Sequence, residues 1–587
     1  MTADSGAPER PAGAPGVLTA PAPPTQWVLH RRRDPARAEA LARALGMPAG
    51  VAHALVNRGI DTPEAAQRFL DPSGDDLHDP YRMLDLDRAV ARLGRAIETG
   101  ERILVHGDYD VDGITATFVL YSALRRLGAR VDYRIPHRTR DGYGLSPGAI
   151  EEAGARGCTL VVTVDCGITA TEAVERGRAL GIDTVITDHH EPPQVLPAAC
   201  AVVNPHRPEC GYPFKSLAGV GVAYKLARTL LAVHGGPAEA DDFLDVVALG
   251  TIADVVPLRG ENRVLARLGL AAIERGARVG LRALIEVAGL RGKRITSGHV
   301  AFVLAPRINA AGRMGNAEQG LRLLLAREEG EARVIAESLE EDNQRRRVHD
   351  EQVHLEAAQL VETELGWPRC RSILLWSDHW HPGVIGIVAS RLVERYQRPA
   401  VLVALHGGRG RGSGRSVPGL DLNEVLGHCR DLLSAYGGHA FAAGLTVERD
   451  RLPELRERLE ALVRERLTPE SCIPQMTIDG DLVLGDCDLR LVDWLERMSP
   501  HGLDNPEPLF RSGEVGVDAA SAVGGGRHLR LRVRDATGEA EAIGFGLGER
   551  AREVAAAGRC ALAFVPVRND WMGTTRVQLK VKGVRVP

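Results

Sequence analysis

Short apolar runs alternate with longer stretches of helical spacing through the first half of the chain. Ile103–Val105 reads as the end of a buried strand, and the run from Ile114 to Leu124 as the helix that follows it. Thr159–Val164, Thr184–Thr187 and Ala201–Val203 repeat the strand pattern, with helical stretches near 169–181 and 219–234. Upstream, Ala36–Leu45, Val51–Arg58, Pro63–Leu70 and Leu86–Glu98 have helical spacing. Alternation of this kind predicts an α/β fold, a mostly parallel sheet with helices on both faces. In such sheets functional groups gather beyond the carboxyl ends of the strands.

The pattern changes twice further on. From Glu328 to about Leu365 a single long helix is predicted, on the order of 50 Å at 1.5 Å per residue. Val334, Ile335 and Leu339 give it one apolar stripe, and Val348, Leu355 and Val361 another, whereas Glu340 to Arg347 has no apolar residue. A helix polar all round usually bridges domains through solvent. Strand and helix alternate again from about Ser372 to Arg466, around the unusual run Gly407–Ser416. After Cys472 come short strands with turns. There Leu529, Leu531 and Val533 alternate with Arg530, Arg532 and Arg534, putting three guanidinium groups on one strand face. Such a stripe is either the wet face of a barrel or a path for a single strand's backbone.

Composition narrows the class. The 587 residues suffice for three to four domains, and 44% hydrophobic with 26% charged content describes an ordinary soluble protein. A net charge of −4 leaves nucleic acid open, because basic surface can be confined to one cleft. No apolar run reaches the length of a membrane span, and nothing resembles a secretory leader. The nine cysteines are scattered without a Cys-x-x-Cys pair, as in a reduced cytoplasm. Cys200, His206 and Cys210 lack a fourth ligand for a zinc site. The stretch 1–26, rich in Pro, Ala and Gly, is expected to be a disordered tail.

The candidate chemistry sits at the predicted strand ends. His106, Asp108, Asp110 and Asp112 fall within seven residues, and like charges that close repel unless something cationic sits among them. Oxygen and nitrogen ligands of this mix suit Mn²⁺, Mg²⁺ or Zn²⁺. Asp165 ends the second run, and Asp188-His189-His190 the third. Asp254 lies in a fourth apolar segment, Val246 to Leu258. One such Asp is commonly a helix cap, but four clusters ending apolar runs of one sheet point to a polynuclear metal site. In Gly407–Ser416, glycines allow close backbone approach and Arg forks fit phosphate oxygens, which predicts a phosphate-binding surface with Gly437, Gly438 and His439. The alternative there is a flexible basic loop.

His106-Gly107-Asp108-Tyr109-Asp110-Val111-Asp112-Gly113, Val164-Asp165-Cys166-Gly167 and Asp188-His189-His190 resemble the successive motifs of the DHH phosphoesterases. Pro306–Arg313, His381–Ser390 and Gly437–Gly444 extend the resemblance to the single-strand-specific DNA exonucleases of that family. It implies a parallel-sheet DHH catalytic domain with N-terminal helices (27–327), a connecting helix (328–366), a smaller α/β DHHA1 domain (367–470) and a C-terminal OB-fold β-barrel (471–587). It further implies 5′→3′ hydrolysis of single-stranded DNA to 5′-mononucleotides, in repair and recombination, with two divalent ions, Mn²⁺ or Mg²⁺.

By that resemblance Asp165 bridges the ions, His106 and Asp110 hold one, and Asp112, His189 and Asp254 hold the other. His190 cannot easily point the same way as His189 if the segment is extended, so it is assigned to the substrate phosphate or leaving oxygen. Asp188 and Asp108 are expected to orient the imidazoles. A 5′-phosphate pocket between the two main domains would use Arg138, Arg313, Ser413 and Arg415, with Arg134 and Arg140 competing for the place of Arg138. Arg307 and Asn309, together with Gly437, Gly438 and His439, complete the expected substrate contacts, and Arg530, Arg532 and Arg534 the expected DNA path. Expected associates are a single-stranded DNA with a 5′ end, a single-strand-binding protein and a helicase, and no membrane. Two other readings are a DHH phosphodiesterase for short oligonucleotides or cyclic dinucleotides, and a non-catalytic scaffold.

Overall fold

The apolar strands of the first half pair side by side in one five-stranded sheet. Its order is Arg130–Arg134, Arg102–His106, Leu160–Val164, Asp183–Thr187, Ala201–Val203, and every pairing is parallel. The computed structural model describes residues 25–587 apart from 139, 235, 236, 315, 469, 572 and 573. The expected tail at 1–26 therefore lies almost wholly outside the described residues. Chain order reverses between Arg102–His106 and Leu160–Val164, which makes their carboxyl ends the switch point where such sheets bind ligands. The strand Arg130–Arg134 is absent from the sequence reading. It is an edge strand whose one fully buried residue is Val131, so it lacks an apolar run.

The segment around Asp254 departs from expectation. It is not a strand of the sheet but the helix Leu244–Ala253, with Asp254 as its C-cap. Every residue from Leu244 to Ile252 is buried, so the helix has no polar face, and periodicity cannot separate it from a buried strand. With Val111–Arg126 and Gly219–His234 it forms the main core. Gly250 lets these helices approach, since a Cβ there would lie 2.1 Å from Thr115 Oγ1 and 2.8 Å from Val220 Cγ1.

Val515–Val523, His528–Arg534, Glu539–Gly544, Thr574–Arg585 and Arg559–Trp571 close into the expected OB-fold barrel. Leu529, Leu531 and Val533 point into its core and the intervening arginines out. The helices Pro35–Leu45, Ala49–Asn57 and Pro63–Leu70, grouped by chain position with the catalytic domain, bury Leu41, Val51, Leu55 and Leu70 in this same barrel core.

Residues 344–476 form a separate unit. Its sheet runs Ala435–Gly438, Ala442–Glu448, Arg409–Arg415, Ala400–His406, Ile373–Ser377, with only the last pair parallel. The basic glycine run is thus no flexible loop but a hairpin strand. Gly410, Gly412 and Gly414 face Val403, Leu445 and Leu422, each within 2.7 Å of where a Cβ would stand, so these glycines serve apolar packing. Arg409, Arg411, Ser413 and Arg415 take the other face. The long helix, Glu329–Thr363, is likewise less solvated than its composition predicts. Asp342 and Asn343 are buried and Arg307 pairs with Glu340, while Val334, Val348 and Leu355 are exposed. Among the described residues no helix is long and apolar enough to cross a membrane.

The hairpin makes a measurable demand. Gly410→Ala places a methyl against Val403 and Leu405 and is expected to destabilise the 344–476 unit by about 1–3 kcal/mol in urea unfolding. An unchanged midpoint would show that the sheet accommodates a side chain there.

Candidate metal centre

Asp165 follows the strand Leu160–Val164 at a sharp turn, with φ of 60°. That left-handed conformation is costly for a non-glycine residue, and it leaves the carboxylate 98% buried among other acids. Burial, and then the charges of Asp112, Asp110, Asp254 and Asp108, push its carboxyl well above the usual range. Burial and Asp110 likewise raise Asp108 to about 8 and Asp112 to about 7, and burial and Asp112 raise Asp254. A pocket that raises four carboxyls together is short of positive charge.

The ligand atoms converge in three overlapping sets. Asp165, His189 and His190 bring one atom each within 4.8 Å of one another, as do Asp112, His189 and Asp254, and Asp108, Asp110 and Asp165. His189 Nε2 lies 3.1 Å from Asp165 Oδ1, 3.6 Å from Asp254 Oδ2 and 3.7 Å from Asp112 Oδ2. Yet His189 Nε2 and Asp165 Oδ1 are both buried and neither makes a hydrogen bond. Burial, followed by the charge of His190, holds His189 near 4, hence neutral. A lone pair facing carboxylates across that gap fits a divalent cation. His106 falls outside the three sets, but burial, followed by the charge of Arg134, holds its ring near 4, hence neutral. Its Nε2 lies 3.2 Å from the Gly144 carbonyl, and Nδ1 is buried without a partner. With Nε2–H donating to that carbonyl, Nδ1 keeps its lone pair for a ligand role.

The supporting contacts differ from those expected. Asp108 hydrogen-bonds neither imidazole. Its Oδ1 is buried and unpartnered, and it stands beside Asp110 and Asp165 as a third carboxylate. Backbone groups orient the rings instead, Gly144 at His106 and Leu217 at His189. Asp188 is held more fully. It accepts from the amides of Ile168, His189 and His190, and its Oδ1 lies 2.7 Å from His190 Nδ1. Those bonds bend the segment out of extended form, so the rings of His189 and His190 lie 4.5 Å apart rather than on opposite faces. Burial opposes protonation of His190, but Asp188 outweighs it and carries the imidazole above its usual value.

Of the predicted basic groups, Arg134 pairs with Asp141 and Glu152, and Arg140 with Asp141. Arg138 lies over the Tyr109 ring, 5.1 Å from its centroid, close enough to lower Asp108, and Arg313 is also felt by Tyr109. Arg138 and Arg313 thus both lie near Tyr109. Arg307 instead bonds Glu340 and the Val303 carbonyl, and Asn309 Oδ1 accepts from Val111 N–H at the start of the helix Val111–Arg126. In the other unit Arg415 Nη1 donates to Ser413 Oγ at 3.2 Å, beside Gly386 in the first turn of Ile385–Tyr396. Ser413 pairs across the sheet with Gly444, and Gly444 with Gly437, which places them in one row. After the strand Ala435–Gly438, His439 begins the turn into Ala442–Glu448, its N–H donating to Ala442 O.

Sequence reasoning missed what holds Asp112. Gly219 and Val220, opening the helix Gly219–His234, donate their amides to its two oxygens at 2.6 and 2.8 Å. Helix N-termini favour a carboxylate in this way. Gly219 must be glycine, because a Cβ there would lie 2.4 Å from Asp165 Oδ1. The Gly219-Val220-Gly221 run at a helix start was the available signal. Gly219→Ala is therefore expected to weaken divalent-ion binding by about tenfold or more in calorimetric titration, with the circular dichroism spectrum retained. Unaltered binding would show that the helix can shift without disturbing Asp165.

Comparison with known proteins agrees with this geometry. Residues 102–251 match the DHH family N-terminal domain, 370–465 the DHHA1 domain and 478–583 the RecJ OB domain. The single-stranded-DNA-specific exonuclease RecJ of Bacillus subtilis is 37% identical over 96% of this chain and 71% of its own length. That of Escherichia coli is 40% identical over 78% and 83%. The crystal structure of Thermus thermophilus RecJ in complex with Mn²⁺ superposes with a TM-score of 0.83 at 33% identity, covering 96% of this chain and 80% of the other. Its Mg²⁺ complex gives 0.77 at 32%. The chain belongs to the RecJ family of single-stranded-DNA-specific exonucleases within the DHH phosphoesterases.

Proposed function

We propose that this chain hydrolyses single-stranded DNA from the 5′ end, releasing 5′-mononucleotides, with two divalent ions, Mn²⁺ or Mg²⁺. The observation that carries the reading is the pair His189 Nε2 and Asp165 Oδ1, buried 3.1 Å apart without a hydrogen bond between them. His106, Asp108 and Asp110 would hold one ion, Asp112, His189 and Asp254 the other, and Asp165 both. The ions supply neutralisation of phosphate charge and a nucleophilic water at neutral pH.

The remaining steps fall to the chain's own groups. His190, whose protonated form Asp188 favours, donates to a phosphate oxygen or to the departing 3′-oxygen. Arg138 and Arg313 in the catalytic unit, and separately Arg415 beside Ser413 in the 344–476 unit, are suited to phosphate, because planar guanidinium forks fit its oxygens. Arg530, Arg532 and Arg534 offer the barrel's outer face to the strand's backbone. Two are lightly held, Arg530 lying 3.7 Å from Glu541 and Arg534 2.8 Å from Asp518, both exposed. A cytoplasmic role in DNA repair and recombination, with single-strand-binding protein and a helicase supplying the substrate, fits this activity.

Three measurements test the reading. On a 5′-labelled single strand, labelled mononucleotide should appear first. Preference for dinucleotides over long strands would favour the short-substrate phosphodiesterases instead. Asp165→Ala should abolish turnover, and a purified variant as fast as the parent would refute the metal mechanism. Replacing Arg530 and Arg532 together should flatten the dependence of log affinity on log salt by about 1.4, two single-strand phosphate contacts' worth. An unaltered slope would take the barrel off the DNA path.

A further inference from the structure

Asp254 differs from the other acids in how it is held. Asp112 is fixed by two backbone amides and Asp188 by four donors, whereas among the described residues none donates a hydrogen bond to the Asp254 carboxylate. Its direction depends on backbone alone. On one side the chain comes from the helix Leu244–Ala253, Asp254 N–H donating to Gly250 O at 3.0 Å. On the other it passes at once through Val255, whose φ is 59° and whose side chain is 63% exposed. A β-branched residue in the left-handed region is strained and persists only where its surroundings over-determine it.

What over-determines it comes from the far end of the sequence. Three residues on, Leu258 N–H donates to Leu503 O at 2.8 Å, and the Leu258 side chain packs on the bare face of Gly502, where a Cβ would lie 2.7 Å from Leu258 Cδ1. Arg259 reaches Asp504 at 3.4 Å. The stretch 498–505 precedes the barrel strands and is itself clamped to the catalytic core. Arg263, fully buried and with no carboxylate partner among the described residues, donates to the carbonyls of Phe69, Arg497, Met498, Ser499 and Pro500. Ser297 Oγ donates to His501 O, and Asn505 Nδ2 to the carbonyls of Met498 and Pro500. A C-terminal segment thus forms the backing of the turn that carries a metal-centre acid.

We propose that residues 498–505 position Asp254 through the strained turn at Val255, so that the C-terminal region sets the affinity of the metal centre. The proposal rests on the reading of Asp254 as a ligand. Gly502 and Asn505 are positioning residues on this account and touch neither ion nor DNA.

The test is Mn²⁺ titration of the full-length chain, with free Mn²⁺ read by electron paramagnetic resonance. Gly502→Ala and Asn505→Ala should each raise the dissociation constant of one ion about tenfold, while KM for single-stranded DNA at saturating Mn²⁺ stays put. Because glycine adopts the left-handed region without strain, Val255→Gly should restore most of the affinity when combined with Gly502→Ala. Asp254→Asn is the control, since parental Mn²⁺ binding by that variant would refute Asp254 as a ligand and the proposal with it. Weakened binding by Asp254→Asn beside parental binding by both Gly502→Ala and Asn505→Ala would overturn the positioning role alone. So would a defect in Gly502→Ala that Val255→Gly leaves in place.

Discussion

Buried carboxylates that face one another at the strand ends govern this molecule. Asp108, Asp112 and Asp165 are nearly inaccessible and Asp254 stands beside them, and each is driven toward its neutral form by burial and by its neighbours. A hydrophobic core of this size tolerates such a cluster only where something compensates the charge. The fold provides partial compensation from the amides at the start of the helix Gly219–His234, which is why Gly219 and Gly250 bring that helix and its neighbours so close. The sheet provides the rest of the geometry, since the reversal of strand order puts His106 and Asp165 at adjacent strand ends.

The distribution of hydrogen bonds then separates scaffold from ligand. Asp188, whose oxygens accept three backbone amides and face the His190 ring, is committed to shaping the site. Atoms left bare in a dry setting, Asp165 Oδ1, Asp108 Oδ1, His189 Nε2 and His106 Nδ1, have no protein partner to lose when an ion arrives. Asp108 moves from the first group to the second on this criterion. In a RecJ-family exonuclease that division means that the ions complete the core electrostatically as well as supplying chemistry.

Much of this was legible in the sequence because strand ends and their acids are local features. The four strands read from apolar runs and the alternating barrel strand needed only period and turn residues. The losses share one cause, the neighbour that sequence cannot show. Arg130–Arg134 is an edge strand with little apolar signal, and Leu244–Ala253 is buried on all sides and so lacks a helical face. The glycines of 410–414 look like a phosphate loop until Val403, Leu445 and Leu422 are seen filling their places. Asn309 and Arg307 sit in a motif that resembles a substrate site, yet their side chains cap one helix and tie down another. The bend at His189-His190 depends on an Asp188 side chain accepting three backbone amides, a choice that no periodicity encodes.

The chain's two ends meet where a reading by domains would separate them. The N-terminal helices complete the barrel core, and the stretch 498–505 next to that barrel backs the Asp254 turn. Arg263 makes the junction rigid at a cost, since its charge is buried among carbonyls and over the Phe69 ring, and burial depresses it to about 9. A guanidinium kept there without a carboxylate is useful only if the joint must hold shape, because apolar packing would serve adhesion better. If the turn is positioned as proposed, a change that loosens the barrel's seat acts on the metal centre without touching a ligand.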